Sequence, residues 1–254
     1  MIALLLAAAI VPATPKKPVV HAYQGVKVSD DYEWLENDAD AKVKKWSEAQ
    51  NAAARAFLDK IPGRAALHKR IDALVRETSA SFYGIVDRRG RIFAGRADPK
   101  QQQPYIVSLP DLEHPEQARA VVDPNAIDST GHTAIDFFVV SLDGTKIAVS
   151  LSKGGTESGD VQVYDAASGA EIDAPVPRVN SGTAGGSVAW NADATGFWYT
   201  RNPRGTERKP EDMGFYQQIY FHKLGTPTDQ DTYELGKELP RIAEITLDTT
   251  DDGT

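Results

Sequence analysis

Cysteine is absent from the 254 residues, which excludes disulfides, thiolate catalysis and cysteine-ligated zinc together. Metal-type histidine spacing is missing too. His21, His68, His114, His132 and His222 fall in separate segments with no i, i+4 pair and no His-Glu-x-x-His run, so no metal ligand is assigned. Nor does any serine occupy a Gly-x-Ser-x-Gly turn, the tight strand-to-helix elbow that projects a nucleophilic hydroxyl past small neighbours. Ser158 lies between Glu157 and Gly159, Ser181 between Asn180 and Gly182, and Ser187 between Gly186 and Val188, so no catalytic residue is assigned. Excess positive charge is lacking: the net charge of -8 opposes nucleic-acid binding, which rewards clustered Lys and Arg, and favours solubility. Long apolar runs are missing as well. The uninterrupted run over 2–11 is too short to span a bilayer, so no membrane partner is expected.

Two glycine- or acid-rich stretches look like ligand loops and are better read otherwise. Gly154-Gly155-Thr156-Glu157-Ser158-Gly159 has no lysine for a phosphate and carries Glu157, which would repel one, so it reads as a flexible β-turn. Asn191-Ala192-Asp193-Ala194-Thr195-Gly196 imitates the start of a calcium loop, but the bidentate acid of position twelve falls on Asn202, and a hairpin turn accounts for the same residues. No cofactor-binding residue and no cofactor is expected.

What is present divides by pattern. The run over 2–11, closed by Pro12 and followed by Ala13, has the length of a signal h-region with cleavage after Ala13, which points to a periplasmic or secreted protein. No Lys or Arg precedes it, which keeps a cytoplasmic location as the alternative. Residues 1–20 thus read as a signal or leader segment. Residues 21–78 form an N-terminal helical segment. A helix over 37–60 is expected with Asn37 or Asp38 as cap, Asp40 in its first turn and Val43, Trp46, Ala49, Ala53, Ala56 and Phe57 as its apolar stripe. Pro62 fits the first position of a second helix carrying Leu67, Ile71, Leu74 and Val75 and ending near Arg76. Trp34 and Trp46 read as packing anchors for these helices.

From residue 79 to 254 the chain reads as short β-branched and aromatic runs separated by Gly, Asp, Asn and Pro. Strands are expected over 82–87, 91–97, 105–109, 120–122, 135–140, 146–151, 161–165, 171–173, 188–190, 196–201, 218–222, 231–234 and 241–247. They repeat. Ser141-Leu142-Asp143-Gly144-Thr145 leads into one strand, Asn191 to Gly196 into another, and Asp251-Asp252-Gly253-Thr254 opens the same turn again. A unit of about 50–60 residues with about four strands is the mark of a propeller blade, whose faces need neighbouring blades for cover. The expected fold is mainly β: an incomplete β-propeller of about three four-stranded blades plus the start of a fourth, preceded by the α-helical segment. Because a ring needs about four to eight blades, the sequence is expected to be a fragment whose open blade face exposes an apolar patch. The loop over 202–214 is long for a blade connection and mixes Arg204, Arg208 and Lys209 with Glu207, Glu211 and Asp212, which suits either a solvated loop or one that selects peptide termini.

The run Asp31-Tyr32-Glu33-Trp34-Leu35-Glu36, with Val43, Trp46, Gln50 and Asn51 behind it, resembles the N-terminal signature of the prolyl oligopeptidase family of serine peptidases. The resemblance continues through Asp123-Pro124-Asn125, Leu142-Asp143-Gly144-Thr145, Val188-Ala189-Trp190 and Gln218-Ile219-Tyr220-Phe221-His222-Lys223-Leu224-Gly225-Thr226, covering about residues 20–254. It implies an enzyme that pairs a seven-bladed propeller with an α/β-hydrolase domain and cleaves short peptides after proline without metal or organic cofactor. It implies further that the N-terminal helices wrap the peptidase domain and that the propeller gates access to the catalytic centre. The partners implied are short proline-containing peptides, met by the full-length enzyme, and a missing or separately encoded α/β-hydrolase domain. On this reading the chain alone is inactive. The alternative is a stand-alone β-propeller-like module for binding or assembly, without enzymatic activity.

Overall fold

The computed structural model describes residues 11–250 and divides into two compact units, Met1–Glu77 and Thr78–Thr254. Most of the leader-like run and the Asp251-Asp252-Gly253-Thr254 turn lie outside the described residues. Among the described residues no helix is long and apolar enough to cross a membrane.

The first unit opens on a hairpin that the sequence reading missed, β1 (Val19–Tyr23) paired antiparallel with β2 (Val26–Asp30). Its signal was a two-residue turn between β-branched runs: Gln24 and Gly25 both take positive φ, 48° and 84°, as a tight hairpin requires. After a 3-10 turn at Glu33–Leu35 come α1 (Ala41–Leu58) and α2 (Arg64–Arg76). The first helix starts later than expected because Asp40, not Asn37 or Asp38, is its cap, accepting the Lys42 N–H at 2.8 Å. Likewise Pro62 precedes α2 instead of opening it, since Gly63 at φ 83° is the residue that turns the chain into the helix. Trp34 and Trp46 meet edge to face with centroids 6.3 Å apart. Their indole N–H groups pin the incoming chain, Trp34 to the Pro15 carbonyl at 3.0 Å and Trp46 to Thr14 Oγ1 at 3.1 Å, while Gln50 holds the Pro12 carbonyl at 2.7 Å. Along α2, Leu67, Ile71, Leu74 and Val75 stay exposed.

The second unit is built from three antiparallel sheets in chain order. Blade 1 is β3 (Ser81–Arg88), β4 (Arg91–Ala97), β5 (Tyr105–Leu109) and β6 (Arg119–Val122), followed by the short helix α3 (Pro124–Ile127). Blade 2 is β7 (Thr133–Val140), β8 (Lys146–Lys153) and β9 (Asp160–Asp165). Blade 3 is β10 (Val188–Trp190), β11 (Gly196–Arg201), β12 (Gln218–Lys223) and β13 (Thr232–Leu235). Every strand pairs with its sequence neighbour, the meander expected of a propeller blade.

Two expected strands did not form. Over 171–173 a single isolated bridge remains, Glu171 to Tyr164, and the next, Val176 to Val161, stands apart from it because Pro175 and Pro177 have no N–H for a continuous ladder. The segment 241–247 has no ladder; Leu247 exchanges its N–H and carbonyl with the Ser187 hydroxyl instead, and the turn expected to lead into its hairpin partner lies outside the described residues.

Strand β8 shows why the blades hold together. Its residues from Ile147 to Ser152 are all buried, as in a strand covered on both faces. Alternation then separates them: Ile147, Val149 and Leu151 join Phe93, Ile106 and Val122 of blade 1, while Ala148 joins Val188, Trp190, Phe197 and Tyr199 of blade 3. Small side chains on one face admit the large aromatics of the next sheet. The seam is pinned by Trp190, whose Nε1–H donates to the Val139 carbonyl at 3.0 Å.

The turns match the repeat. Asp143 accepts the Ser141 hydroxyl at 2.6 Å and the Thr145 N–H at 3.0 Å, and Gly144 sits at φ 68° where a Cβ would come 3.0 Å from the Arg88 carbonyl. In the third blade Asp193 takes Thr195 Oγ1 at 2.6 Å and Asn191 takes the Gly196 N–H at 3.1 Å, so the calcium-like stretch spends its oxygens on its own hairpin turn.

Candidate functional site

One buried polar cluster of the second unit lies at blade 3, at the root of the 202–214 loop. His222 on β12 is fully buried, with Asp231 Oδ1 2.6 Å from Nδ1 and Asp173 Oδ2 3.2 Å from Nε2. The Tyr199 hydroxyl donates to Asp231 Oδ2 at 2.6 Å, and Arg204 Nη2 donates to that hydroxyl at 3.3 Å. Burial pushes the Tyr199 phenol well above its ordinary range, so it stays protonated and remains a donor. The two carboxylates flank the imidazole on opposite sides and do not converge on a point, and among the described residues no group of three such side chains is placed to hold a metal.

Outside this buried cluster the loop makes a shallow groove of about 200 Å³, lined by Arg201, Pro203, Glu207, Arg208, Tyr216, Gln218 and Tyr220. Arg201 lies over the Tyr220 ring at 4.6 Å and Arg208 over Tyr216 at 4.1 Å. Burial works against the Glu207 charge, but the Arg201 guanidinium and the Arg204 N–H hold its carboxyl below the usual range. The loop expected to be either solvated or selective is therefore tethered: Arg204 and Glu207 fix its start, and Arg241 binds Asp212 at 2.7 Å near its end.

A second polar group sits on blade 2. A bulge between Ile135 and Phe137 turns Asp136 so that Oδ2 accepts Ser150 Oγ and Oδ1 accepts Ser152 Oγ, both at 2.7 Å. Gly159 makes room for it, since a Cβ there would fall 2.1 Å from Asp136 Oδ2.

None of this is a nucleophile with its base. Ser158 is half-exposed in the 154–159 turn, Ser181 caps a local turn, and Ser187 is committed to Leu247; among the described residues none of the three is bonded to an imidazole. The remaining histidines are dispersed: His21 pairs with Glu33, His114 with Asp111, His132 with Thr130, and His68 lies exposed on α2. The buried His222 cluster escaped sequence reasoning because its members lie on three separated segments; the sole local hint was a histidine within an aromatic strand. Chemically it offers a clamp of two carboxylates on one imidazole, and the groove offers guanidinium and phenol groups to a polar ligand.

Three meandering sheets stacked face to face, with hairpin turns repeating at their joints, define a β-propeller domain. The family model for the prolyl oligopeptidase N-terminal β-propeller domain matches residues 12–254, and the chain belongs to that family. It is 27% identical over 229 residues to a prolyl endopeptidase of Elizabethkingia meningoseptica, covering 89% of this chain and 31% of that protein. It is 28% identical over 248 residues to prolyl oligopeptidase A of Galerina marginata, covering 90% and 33%. Among solved structures, one from a structural and mechanistic study of two prolyl endopeptidases superposes with a TM-score of 0.79 at 29% identity, over 95% of this chain and 35% of that one. Prolyl oligopeptidase B of Galerina marginata, bound to a 35mer hydrolysis and macrocyclization substrate, shares the fold at a TM-score of 0.74 and 21% identity, over 96% and 36%. The chain spans about a third of the length of the curated relatives it matches.

Proposed function

We propose that these residues supply the N-terminal helices and part of the gating propeller of a prolyl oligopeptidase-like serine peptidase that cleaves short peptides after proline. The family match over 12–254 carries the reading. On it, the hydrolytic chemistry belongs to an α/β-hydrolase domain outside these 254 residues. The exposed Leu67, Ile71 and Leu74 stripe of α2 supports this, because an amphipathic helix leaves such a face open where another body is to cover it. The propeller filters by size: a ring of blades over the catalytic centre admits short flexible peptides and holds back folded proteins.

The test is hydrolysis of a fluorogenic proline-containing peptide. The 254-residue chain alone is expected to be inert, and supplying the hydrolase domain, in the same polypeptide or by co-expression, is expected to produce cleavage blocked by a serine-directed phosphonate. Phosphonate-sensitive cleavage by the chain alone, or none with the hydrolase domain supplied, overturns the reading. Export to the periplasm or medium belongs to the same proposal and rests on the run over 2–11. Cleavage after Ala13 would keep the bonds from Trp34 and Trp46 to Pro15 and Thr14 and give up the one from Gln50 to the Pro12 carbonyl, and N-terminal sequencing of the protein from fractionated cells checks it.

A further inference from the structure

The cluster around His222 closes a circuit between two blades. Asp173 belongs to the segment that follows β9 on blade 2, whereas His222 and Asp231 belong to blade 3. An ionised carboxylate only accepts hydrogen bonds, and a neutral imidazole has one N–H to give. Contacts to Asp231 through Nδ1 and to Asp173 through Nε2 are therefore both hydrogen bonds only when the ring carries both protons. The same blade 2 segment is gripped a second time, at Pro177, whose carbonyl accepts Arg204 Nε at 3.1 Å and Nη2 at 2.6 Å. Arg204 in turn meets Tyr199, and Tyr199 meets Asp231, so the loop root, the histidine and the segment from Asp173 to Pro177 form one ring of contacts. The Gly225 N–H adds a bond to Asp173 at 3.1 Å.

We propose that protonated His222 is a latch that fastens the 173–177 segment of blade 2 to blade 3 and anchors the 202–214 loop, and that loss of its proton releases both. The proposal is independent of which reaction the whole enzyme performs. The titratable and charged groups around the ring are Asp173 from blade 2, Asp231 from the turn before β13, Tyr199 from β11 and, beyond it, Arg204. Phe197 supplies the apolar wall, its ring centroid 5.3 Å away. Burial works against the imidazolium, but the bonds and charges of Asp231 and then Asp173 outweigh it, and the ring holds its proton above the ordinary histidine range. A raised folded value makes the contribution complete below the ordinary value of about 6.5 and lost as pH climbs through the folded value. The latch is therefore closed below the ordinary histidine value and opens as pH climbs through the raised one.

The experiment uses the whole protein. Exchange of the histidine C2 hydrogen, followed by mass spectrometry against pH, reports the His222 midpoint, and amide exchange corrected for intrinsic rates reports protection of peptides covering 171–178 and 202–214. The expected result is a midpoint above about 6.5, lowered by about one unit or more in Asp173→Asn, because one of two flanking charges is gone. Protection of both peptides is expected to fall about tenfold or more as pH passes the wild-type midpoint, and to begin falling at lower pH in the variant. A midpoint at or below the ordinary value, or protection that ignores pH across that range, overturns the latch. If Asp173→Asn does not fold, the two wild-type measurements decide alone.

Discussion

Replacing Trp190 by phenylalanine tests the seam between blades 2 and 3 directly. Trp190 is 1% exposed, packs edge to face on Phe197 at 5.2 Å, and reaches across the seam to the Val139 carbonyl at 3.0 Å. Phenylalanine keeps the first ring and removes the indole N–H with the atoms around it. The lost hydrogen bond costs about 1 kcal/mol. The gap left in a core that relaxes only in part costs about 1–2 kcal/mol more. Trp198 on β11 is the internal control: it is only half-buried and its ring packs on Phe221 of the same sheet at 5.1 Å, so Trp198→Phe should cost about 1 kcal/mol or less. Urea unfolding followed by far-ultraviolet circular dichroism compares the two, since each variant loses one indole. With a slope of about 3 kcal/mol/M, the Trp190 variant should lower the midpoint by about 0.7–1 M, and the Trp198 variant by about a third of a molar or less. Equal shifts in the two variants would refute the claim that Trp190 fastens one blade to the next.

Gly196→Ala should be more damaging than its size suggests, because the added Cβ meets the His222 carbonyl oxygen at 2.4 Å and backbone there cannot swing away; a loss of at least about 2 kcal/mol is expected by thermal melting. Asp128, held at about 2 by bonds from the Thr130 hydroxyl and N–H and the Thr133 hydroxyl, has a depressed value, so its contribution is present above the ordinary aspartate value of about 3.9 and is lost as pH falls toward 2. Asp128→Asn should therefore flatten the acid limb of the stability profile, and an unchanged limb would remove Asp128 as its cause. On the proposed function, Ile71→Glu, on the exposed stripe of α2, should leave the melting of the chain alone within about 0.5 kcal/mol and lower the stability or activity of a preparation supplied with an α/β-hydrolase domain. The same loss in both preparations would count against that docking face.

The strands of the three blades were legible because alternation, turn residues and length are local properties: the Asp-Gly turn at 143–144 and the aromatic runs at 197–199 and 219–221 carry their own signal. The first hairpin was legible in principle, through Gln24-Gly25, and was obscured by the stronger helical pattern behind it. Pairing was not local. The 241–247 run has strand composition and no ladder, since a strand exists by its partner and the bonds of Leu247 go to Ser187. Composition and motif spacing by themselves determined the β-rich class, the blade repeat, the family resemblance and the want of a nucleophile elbow within these residues. Only the tertiary structure decided that the small side chains of β8 face the aromatics of blade 3, that Trp34 and Trp46 pin residues 14 and 15, and that His222 lies between two carboxylates from different blades. Such relations depend on distances between segments far apart along the chain, which burial and hydrogen-bond satisfaction set in the folded molecule and no short window of sequence contains.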